Sequence, residues 1–435
     1  MRYLKRKNAA AEQSASDVSD VVQGLLDQME TGGEQVARDL CRQFDGWAGD
    51  VLVSEAQLAQ AAEKLTAQER ADIEFAHDNV RRFAQAQRAT IQDTQIEILP
   101  GFVAGQRQIP VQSAGCYVPG GRYAHIASAI MTITTAKVAG VGYICACSPP
   151  SGPDGIPAEI LYAMQVCGAD QVLNMGGVQA VASMAHGFFG LPKVDVLAGP
   201  GNQYVADAKR ILFGQVGIDM VAGPTDLLVL ADGQADPFVV AWDLVGQAEH
   251  GANSPVWLVT DDVGLAEQVL KQVPDMIASL PEPNRSSAQT AWDDLAEIVI
   301  CEDRDEMVQV SDRYAPEHLQ VQCADQDWWL SNLNAYGSLF LGEETTVAFG
   351  DKAAGPNHVL PTSGAARYTG GLSVAKFMKT VTWQASSRDA MRPIAEATAR
   401  ISRMEGMEGH ARTADIRLAK YFPDEVFSLG TNKVR

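Results

Sequence analysis

The sequence predicts an α/β protein built on parallel β-sheet, and three observations carry that prediction. From about residue 113 onward, short β-branched or apolar runs recur, each closing on a glycine- or proline-rich turn or an acidic one. Stretches of helical periodicity separate the runs, as in successive βαβ units. Within a run the residues are apolar throughout instead of alternating, as strands covered on both faces require. At roughly 100–200 residues per domain, a chain of 435 residues is expected to form two or more packed units.

In chain order, residues 15–90 read as helical. Thr66 followed by Glu69 is a capping box, in which each side chain satisfies an orphan N–H at a helix start. The stretch ERADIEFAHDNVRRFAQAQR then keeps apolar residues at helical spacing. Strands are predicted at SAGCYVPGG, GYICACSPP, QVLNMGG, VDVLAGPGN, DLLVLAD, PVWLVTDD and EIVICED. The most apolar stretch, Ile126 to Cys147, is broken by Ser, Thr, Lys137 and Gly, and so predicts a buried helix plus a strand. A membrane span needs a longer unbroken run. From about residue 386 the chain is richer in Arg, Met and Glu and reads as a helical appendage that docks on another domain or a partner subunit.

Charge excludes some function classes. With 34 Lys+Arg against 54 Asp+Glu, the net charge is −20. Nucleic-acid backbones and anionic membranes both demand clustered cations, so neither is an expected partner. The basic start MRYLKRKN is followed by small polar residues and no apolar core, unlike a secretory signal. The seven cysteines are Cys41, Cys116, Cys145, Cys147, Cys167, Cys301 and Cys323, and no CxxC is among them. Scattered through apolar runs, they predict reduced buried thiols in the cytoplasm.

Three glycine turns close predicted strands: Cys116 to Gly121, Gly176 to Gln179, and Gly199 to Asn202. Ligands of open α/β sheets bind outside the carboxyl ends of strands, and glycine lets backbone approach a phosphate. None matches GxGxxG, so each turn alone is equally well a tight strand-to-helix connection. Of seven histidines, His77 and His186 lie in helical patterns and read as structural. Gln247, Asp351 and the histidines His250, His318, His358 and His410 offer nitrogen and oxygen donors suited to zinc or manganese, so a mixed Gln/His/Asp/His site is chemically reasonable. The spacing of these donors along the chain is loose, and a single histidine is more often a hydrogen-bonded core or surface residue. Adjacent Glu317 and His318, following Pro316, place a carboxylate and an imidazole where both can do general-base work.

The ordered blocks AGCYVPGG, GGVQAVA, LAGPGNQYVADAKR, QAEHG, YAPEHLQ, GPNHVLPT and EGMEGH resemble the histidinol dehydrogenase family from about residue 15 to residue 412. The resemblance implies two incomplete Rossmann-like parallel-sheet domains with small helical N- and C-terminal segments. It divides the chain into 1–14, a discontinuous first domain of 15–114 and 226–385, a second, NAD-binding domain of 115–225, and a C-terminal segment of 386–435. It implies NAD- and zinc-dependent oxidation of a primary alcohol through an aldehyde to a carboxylate, with two NAD reduced and one zinc per subunit. Gln247, His250, Asp351 and His410 match the family's zinc ligands, and Glu317 and His318 its catalytic pair. Tyr117, Gln179 and Asn202 match NAD contacts, and Thr225, His358 and Glu405 match substrate contacts. A homodimer is implied, with Glu405 and His410 reaching the partner's site.

Departures from the family pattern narrow the substrate. Thr225-Asp226 stands where histidinol-oxidising members usually carry Ser-Glu, and Arg122-Tyr123-Ala124-His125 replaces a small neutral stretch. With Arg367-Tyr368-Thr369-Gly370-Gly371 and the opening Tyr3-Leu4-Lys5-Arg6, these features look like the branch that oxidises 2,3-dihydroxypropane-1-sulfonate to sulfolactate. Arg122, His125 and Arg367 would then receive a sulfonate, since an anion needs charge-assisted donors. Arg122 and Arg367 serve equally as surface residues or as partners of the NAD pyrophosphate. L-histidinol is the competing substrate, and an inactive binding paralogue is the reading from another class.

Overall fold

A computed structural model describes residues 1–8, 16–120, 124–220 and 223–431. Its strands are β1 (Arg2–Lys5), β2 (Thr94–Leu99), β3 (Phe102–Pro110), β4 (Ser113–Tyr117), β5 (Tyr143–Ser148), β6 (Gln171–Asn174) and β7 (Val196–Ala198). The chain continues with β8 (Gly217–Ile218), β9 (Leu227–Ala231), β10 (Val256–Thr260), β11 (Glu297–Ile300), β12 (His318–Gln322), β13 (Ser338–Leu341) and β14 (Met378–Ser386). All seven apolar runs read from the sequence are strands, and the Thr66–Glu69 capping box opens the helix Ala67–Thr90. The seven cysteines are free and buried. Among the described residues, no helix is long and apolar enough to cross a membrane.

The chain divides into two units, one of Met1–Arg88 with Pro110–Phe377, the other of Ala89–Ile109 with Met378–Arg435. The first holds both large sheets. One is fully parallel in the order β6-β5-β4-β7-β8. The other has the order β1-β11-β10-β9-β12-β13, parallel except for β1, which runs antiparallel to β11. In each sheet the first parallel strand is central. The chain winds outward on one side and then crosses to the other, so topological switch points fall between β4 and β7 and between β9 and β12.

The central strand β9 shows why these segments are apolar at every position. Leu228 and Leu230 pack with Val259, Leu319 and Val321 on one face, while Leu227, Val229 and Ala231 pack with Val240, Leu244 and Leu258 on the other. A strand with no solvent face has no use for alternation.

Three placements differ from the sequence reading. The opening segment is not helical: Arg2–Lys5 is an edge strand. The helix Ser16–Leu40 packs on the helices Gly177–His186 and Gln203–Leu212, so Val22, Leu26 and Met29 share a core with Val181 of the first of these helices and with Leu173 and Leu197 of the β4 sheet. Residues 16–40 therefore join the sheet of 113–218, not the sheet built from 227–341. Helical periodicity announces an apolar face without saying which surface will cover it. The second unit adds to the C-terminal segment a three-stranded sheet, β14-β3-β2, in which β2 and β3 are antiparallel. Its helices Arg388–Met404 and Glu408–Tyr421 pack through Ala395, Ala399, Ala414, Leu418 and Phe422.

Leu228 is fully buried in β9. Truncation leaves a cavity on one face of the central strand, so Leu228→Ala should lower stability by about 2–5 kcal/mol. Denaturant unfolding followed by circular dichroism checks this, and an unmoved midpoint would contradict the placement.

Candidate active site

The catalytic candidates gather at the amino ends of β9 and β12, opposite to where open sheets usually bind ligands. His318 is the first residue of β12 and lies level with Leu227 of β9 and Ser338 of β13. Just before β9, Asp226 faces Glu317 in a reciprocal lock. The Asp226 carboxylate accepts from the Glu317 N–H at 2.7 Å, and the Glu317 carboxylate accepts from the Asp226 N–H at 3.1 Å. The Asp226 carbonyl receives His318 Nδ1 at 2.9 Å. A carbonyl can only accept, so Nδ1 carries the hydrogen and the ring's proton-exchanging atom is Nε2.

His318 Nε2 is buried without a hydrogen-bond partner and lies 3.4 Å from Asp351 Oδ1, within ion-pair reach but outside good alignment. The second Asp351 oxygen lies 3.8 Å from His250 Nε2. Zinc takes such nitrogen and oxygen donors at about 2.0–2.2 Å, and this pair is a few tenths of an ångström wider than two ligands sharing one ion would stand. Gln247, buried in the helix Pro237–Ala248, donates to Thr225 Oγ1 at 2.7 Å. Among the described residues, no three His, Cys, Asp or Glu side chains converge on one point. Of the expected set, Gln247 would contribute an amide oxygen, and His410 belongs to the second unit with Glu405. Both are exposed there, Glu405 ending one helix and His410 in the first turn of the next.

Burial and charge set the proton affinities. Burial raises Glu317 to about 7, against the pull of His318. Asp226 rises to about 6 for the same reason. Burial alone would depress His318, but the Glu317 and Asp351 carboxylates outweigh it and raise the imidazole to about 9. His125 goes the other way: burial, with His358, Lys352 and His250 around it, lowers it to about 4. His125 thereby belongs to the same cluster, at the start of the helix Ile126–Ala139.

His358 ties the two sheets together. Its Nδ1 meets the Asp351 carbonyl at 2.9 Å and its Nε2 meets Ser128 Oγ at 3.0 Å, on the helix that follows β4. Arg367 is not gathered into the cluster. It is exposed, and its guanidinium donates to the carbonyls of Gly364 and Arg313. Arg122 lies outside the described residues.

The three dinucleotide candidates sit where the other sheet makes its switch. Tyr117 ends β4, and its hydroxyl accepts from the Gly177 N–H at 3.1 Å. Gln179 is buried in the first turn of the helix Gly177–His186 and donates to Asp45 at 2.9 Å. Asn202 caps the helix Gln203–Leu212, its side chain accepting from Tyr204 and Val205. Tyr117 and Asn202 flank the switch point between β4 and β7, the place where open α/β sheets commonly bind ligands.

Two residues stand out that sequence reasoning passed over. Asp226 enters there only as a departure from a pattern, yet it touches both catalytic candidates. Its signal was a carboxylate heading a strand with no solvent face. Asp45, at the end of the π-helix Cys41–Asp45, holds Gly176 and Gln179, and nothing in its polar surroundings marks it.

A two-sheet α/β protein with a buried Glu–His pair beside nitrogen and oxygen donors, and glycine turns at a switch point, has the equipment of an enzyme that moves protons. The chain belongs to the histidinol dehydrogenase family, whose model matches residues 8–418. It is 61% identical over 432 residues, 99% of each chain, to sulfopropanediol 3-dehydrogenase of Ruegeria pomeroyi. It is 64% identical over 407 residues, 94% of each, to a histidinol dehydrogenase homolog of the same organism. Among solved structures, histidinol dehydrogenase from Elizabethkingia anophelis superposes with a TM-score of 0.89 at 30% identity, covering 95% of this chain and 94% of that one. The chain is an oxidoreductase of this family, acting on alcohols.

The lock makes a testable distinction. Asp226→Asn keeps an oxygen acceptor for the Glu317 N–H, whereas Asp226→Ala frees the loop. The alanine variant should lose about 100-fold in kcat, the cost of a misplacement near 1 Å, while the asparagine variant retains most activity. Steady-state kinetics on folded protein checks this, and equal losses would contradict a positioning role.

Proposed function

We propose that this chain is a zinc- and NAD-dependent dehydrogenase that oxidises 2,3-dihydroxypropane-1-sulfonate through an aldehyde to sulfolactate. The observation that carries the substrate is the 61% identity to a sulfopropanediol 3-dehydrogenase across 99% of both chains, against 30% to the solved histidinol dehydrogenase. Thr225-Asp226 in place of Ser-Glu supports the same choice. L-histidinol, oxidised to L-histidine, is the competing reading, favoured by the family match alone.

Tyr117, Gln179 and Asn202 would hold NAD, which supplies the hydride acceptor for each of the two oxidations. Gln247, His250 and Asp351, with His410 from a partner subunit, would hold one zinc, which supplies Lewis-acid polarisation of the substrate hydroxyl. The remaining chemistry belongs to the chain. His318, fixed through Nδ1 on the Asp226 carbonyl, presents Nε2 to take the hydroxyl proton in its neutral form, a base strengthened by the neighbouring Glu317 and Asp351 carboxylates. Glu317, raised toward 7 by burial, is a strong enough carboxylate base to activate water against the aldehyde. Thr225, His358 and Glu405 would contact the substrate. Arg122 is the charged donor proposed for the sulfonate, which an arginine fork matches well, and His125, neutral in its buried place, would add a single N–H.

The proposed assembly is a homodimer in which Glu405 and His410 complete the neighbouring site. Ile401, Met404 and Met407, exposed beside them, support a covered surface there. Seven buried free thiols support a reducing compartment, the cytoplasm.

Purified protein supplied with each alcohol tests the substrate. We expect about two NADH per sulfonated diol, as a double oxidation requires, and none from histidinol. Turnover of histidinol alone would overturn the choice. Removal of zinc by a chelator should abolish activity, and added zinc should restore it. For the residues, His318→Ala should stop the first hydride transfer. Aldehyde oxidation should rise with pH through about 7 as Glu317 loses its proton. In Glu317→Gln that rise should vanish, with the step slowed about 10²–10⁴-fold. An unchanged aldehyde step would remove Glu317 from this role.

A further inference from the structure

Behind the crevice between β4 and β7 lies an ion pair that the proposed chemistry does not use. Lys209, on the helix Gln203–Leu212, and Asp219, just past β8, are both almost fully buried and in direct contact. They grip a single residue from both sides. Lys209 Nζ donates to the Gly199 carbonyl at 2.9 Å, and Asp219 Oδ2 accepts from the Gly199 N–H at 2.7 Å. The other Asp219 oxygen accepts from the Met220 N–H at 2.7 Å.

Gly199 opens the Gly199-Pro200-Gly201-Asn202 turn, with φ of +122°, and a Cβ there would stand 2.1 Å from the Tyr117 carbonyl oxygen. The turn thus presses directly on the end of β4. Its far end is fixed by Asn202 capping the same helix that carries Lys209. One helix therefore holds both ends of the turn, which presses on one dinucleotide candidate, Tyr117, and ends on another, Asn202.

Stability does not account for this arrangement. Removing two charges from water costs several kcal/mol per ion, and well-packed apolar replacements often serve the fold as well or better. Attraction of a phosphate does not account for it either, since the pair is neutral as a unit and shielded from solvent. What it supplies uniquely is a fixed orientation for the two peptide groups flanking Gly199. We propose that Lys209 and Asp219 are positioning residues that set the 199–202 turn to receive the dinucleotide, and so determine cofactor affinity without touching the cofactor. This rests on the placement of NAD at Tyr117 and Asn202.

Three variants test it, each checked for fold by circular dichroism and elution volume, with the dissociation constant for NAD measured by calorimetric titration beside the KM for NAD, and with the KM for the alcohol and kcat measured separately. Lys209→Met with Asp219→Leu removes both charges together and leaves neither unpaired. Its KM for NAD should rise roughly tenfold or more, the scale of a displaced binding group, with kcat and the alcohol KM little changed. Lys209→Gln with Asp219→Asn keeps a donor and an acceptor without charge and should recover most of the affinity. Asn202→Ala reports on the placement of NAD itself. If Asn202→Ala raises the KM for NAD and the Met/Leu pair does not, the positioning role is overturned while the cofactor site stands. If neither raises it, both are overturned. If the Gln/Asn pair loses as much affinity as the Met/Leu pair, hydrogen-bond geometry is not what the residues supply, and the inference fails. If the Met/Leu pair does not fold, the Gln/Asn pair still decides: a KM for NAD raised tenfold in folded protein overturns the inference, and a preserved one supports it.

Discussion

The exchange of hydrogen bonds between Asp226 and Glu317 is the interaction on which the rest of the site depends. These residues stand 91 positions apart in the chain and meet because β9 and β12 are parallel neighbours. Two buried carboxylates side by side would repel. Here each accepts the other's backbone N–H, so the lock satisfies two buried donors that would otherwise be costly. The Asp226 carbonyl then fixes the imidazole that follows Glu317. Geometry and tautomer of the catalytic pair descend from Asp226, while burial and the neighbouring carboxylates set their proton affinities.

The two sheets divide the work by using opposite ends. The β4 sheet follows the general rule, offering its glycine turns at the carboxyl ends flanking its switch point. The β9 sheet works at its amino ends, because the helix Pro237–Ala248 runs back from β9 and delivers Gln247 and His250 to that edge. His358 spans the gap between the helix after β4 and the short helix Val347–Lys352 that bears Asp351. Through it, the segment that positions the metal candidates is packed against the sheet that carries the dinucleotide candidates.

Net charge says little about any of this. The excess of 20 negative charges lies mainly on solvated faces, as the exposed ion pairs of Arg42, Lys64 and Arg82 illustrate. Such pairs contribute little each. Within the protein the same kinds of group behave differently. Dehydration lifts Glu317 and Asp226 toward neutrality and strips His125 of its charge, so local burial, not composition, sets the chemistry.

The sequence by itself determined the α/β class, seven of the buried parallel strands, the helix opened by Thr66 and the buried state of the thiols. These are local properties, written in runs of apolar residues and in capping pairs a few positions apart. It also held the blocks that mark the family. It did not show β12 or β13, whose Gln320, Gln322 and Ser338 interrupt the apolar pattern because Asp243 accepts from both glutamines inside the fold. Nor did it show that helix Ser16–Leu40 would join the β4 sheet, since an amphipathic face does not name its partner. Only the tertiary structure brought Asp226 to Glu317, Asp351 to His318 and the Lys209–Asp219 pair to Gly199. Those contacts join residues far apart in the chain, and they exist only once the order of strands in each sheet is settled.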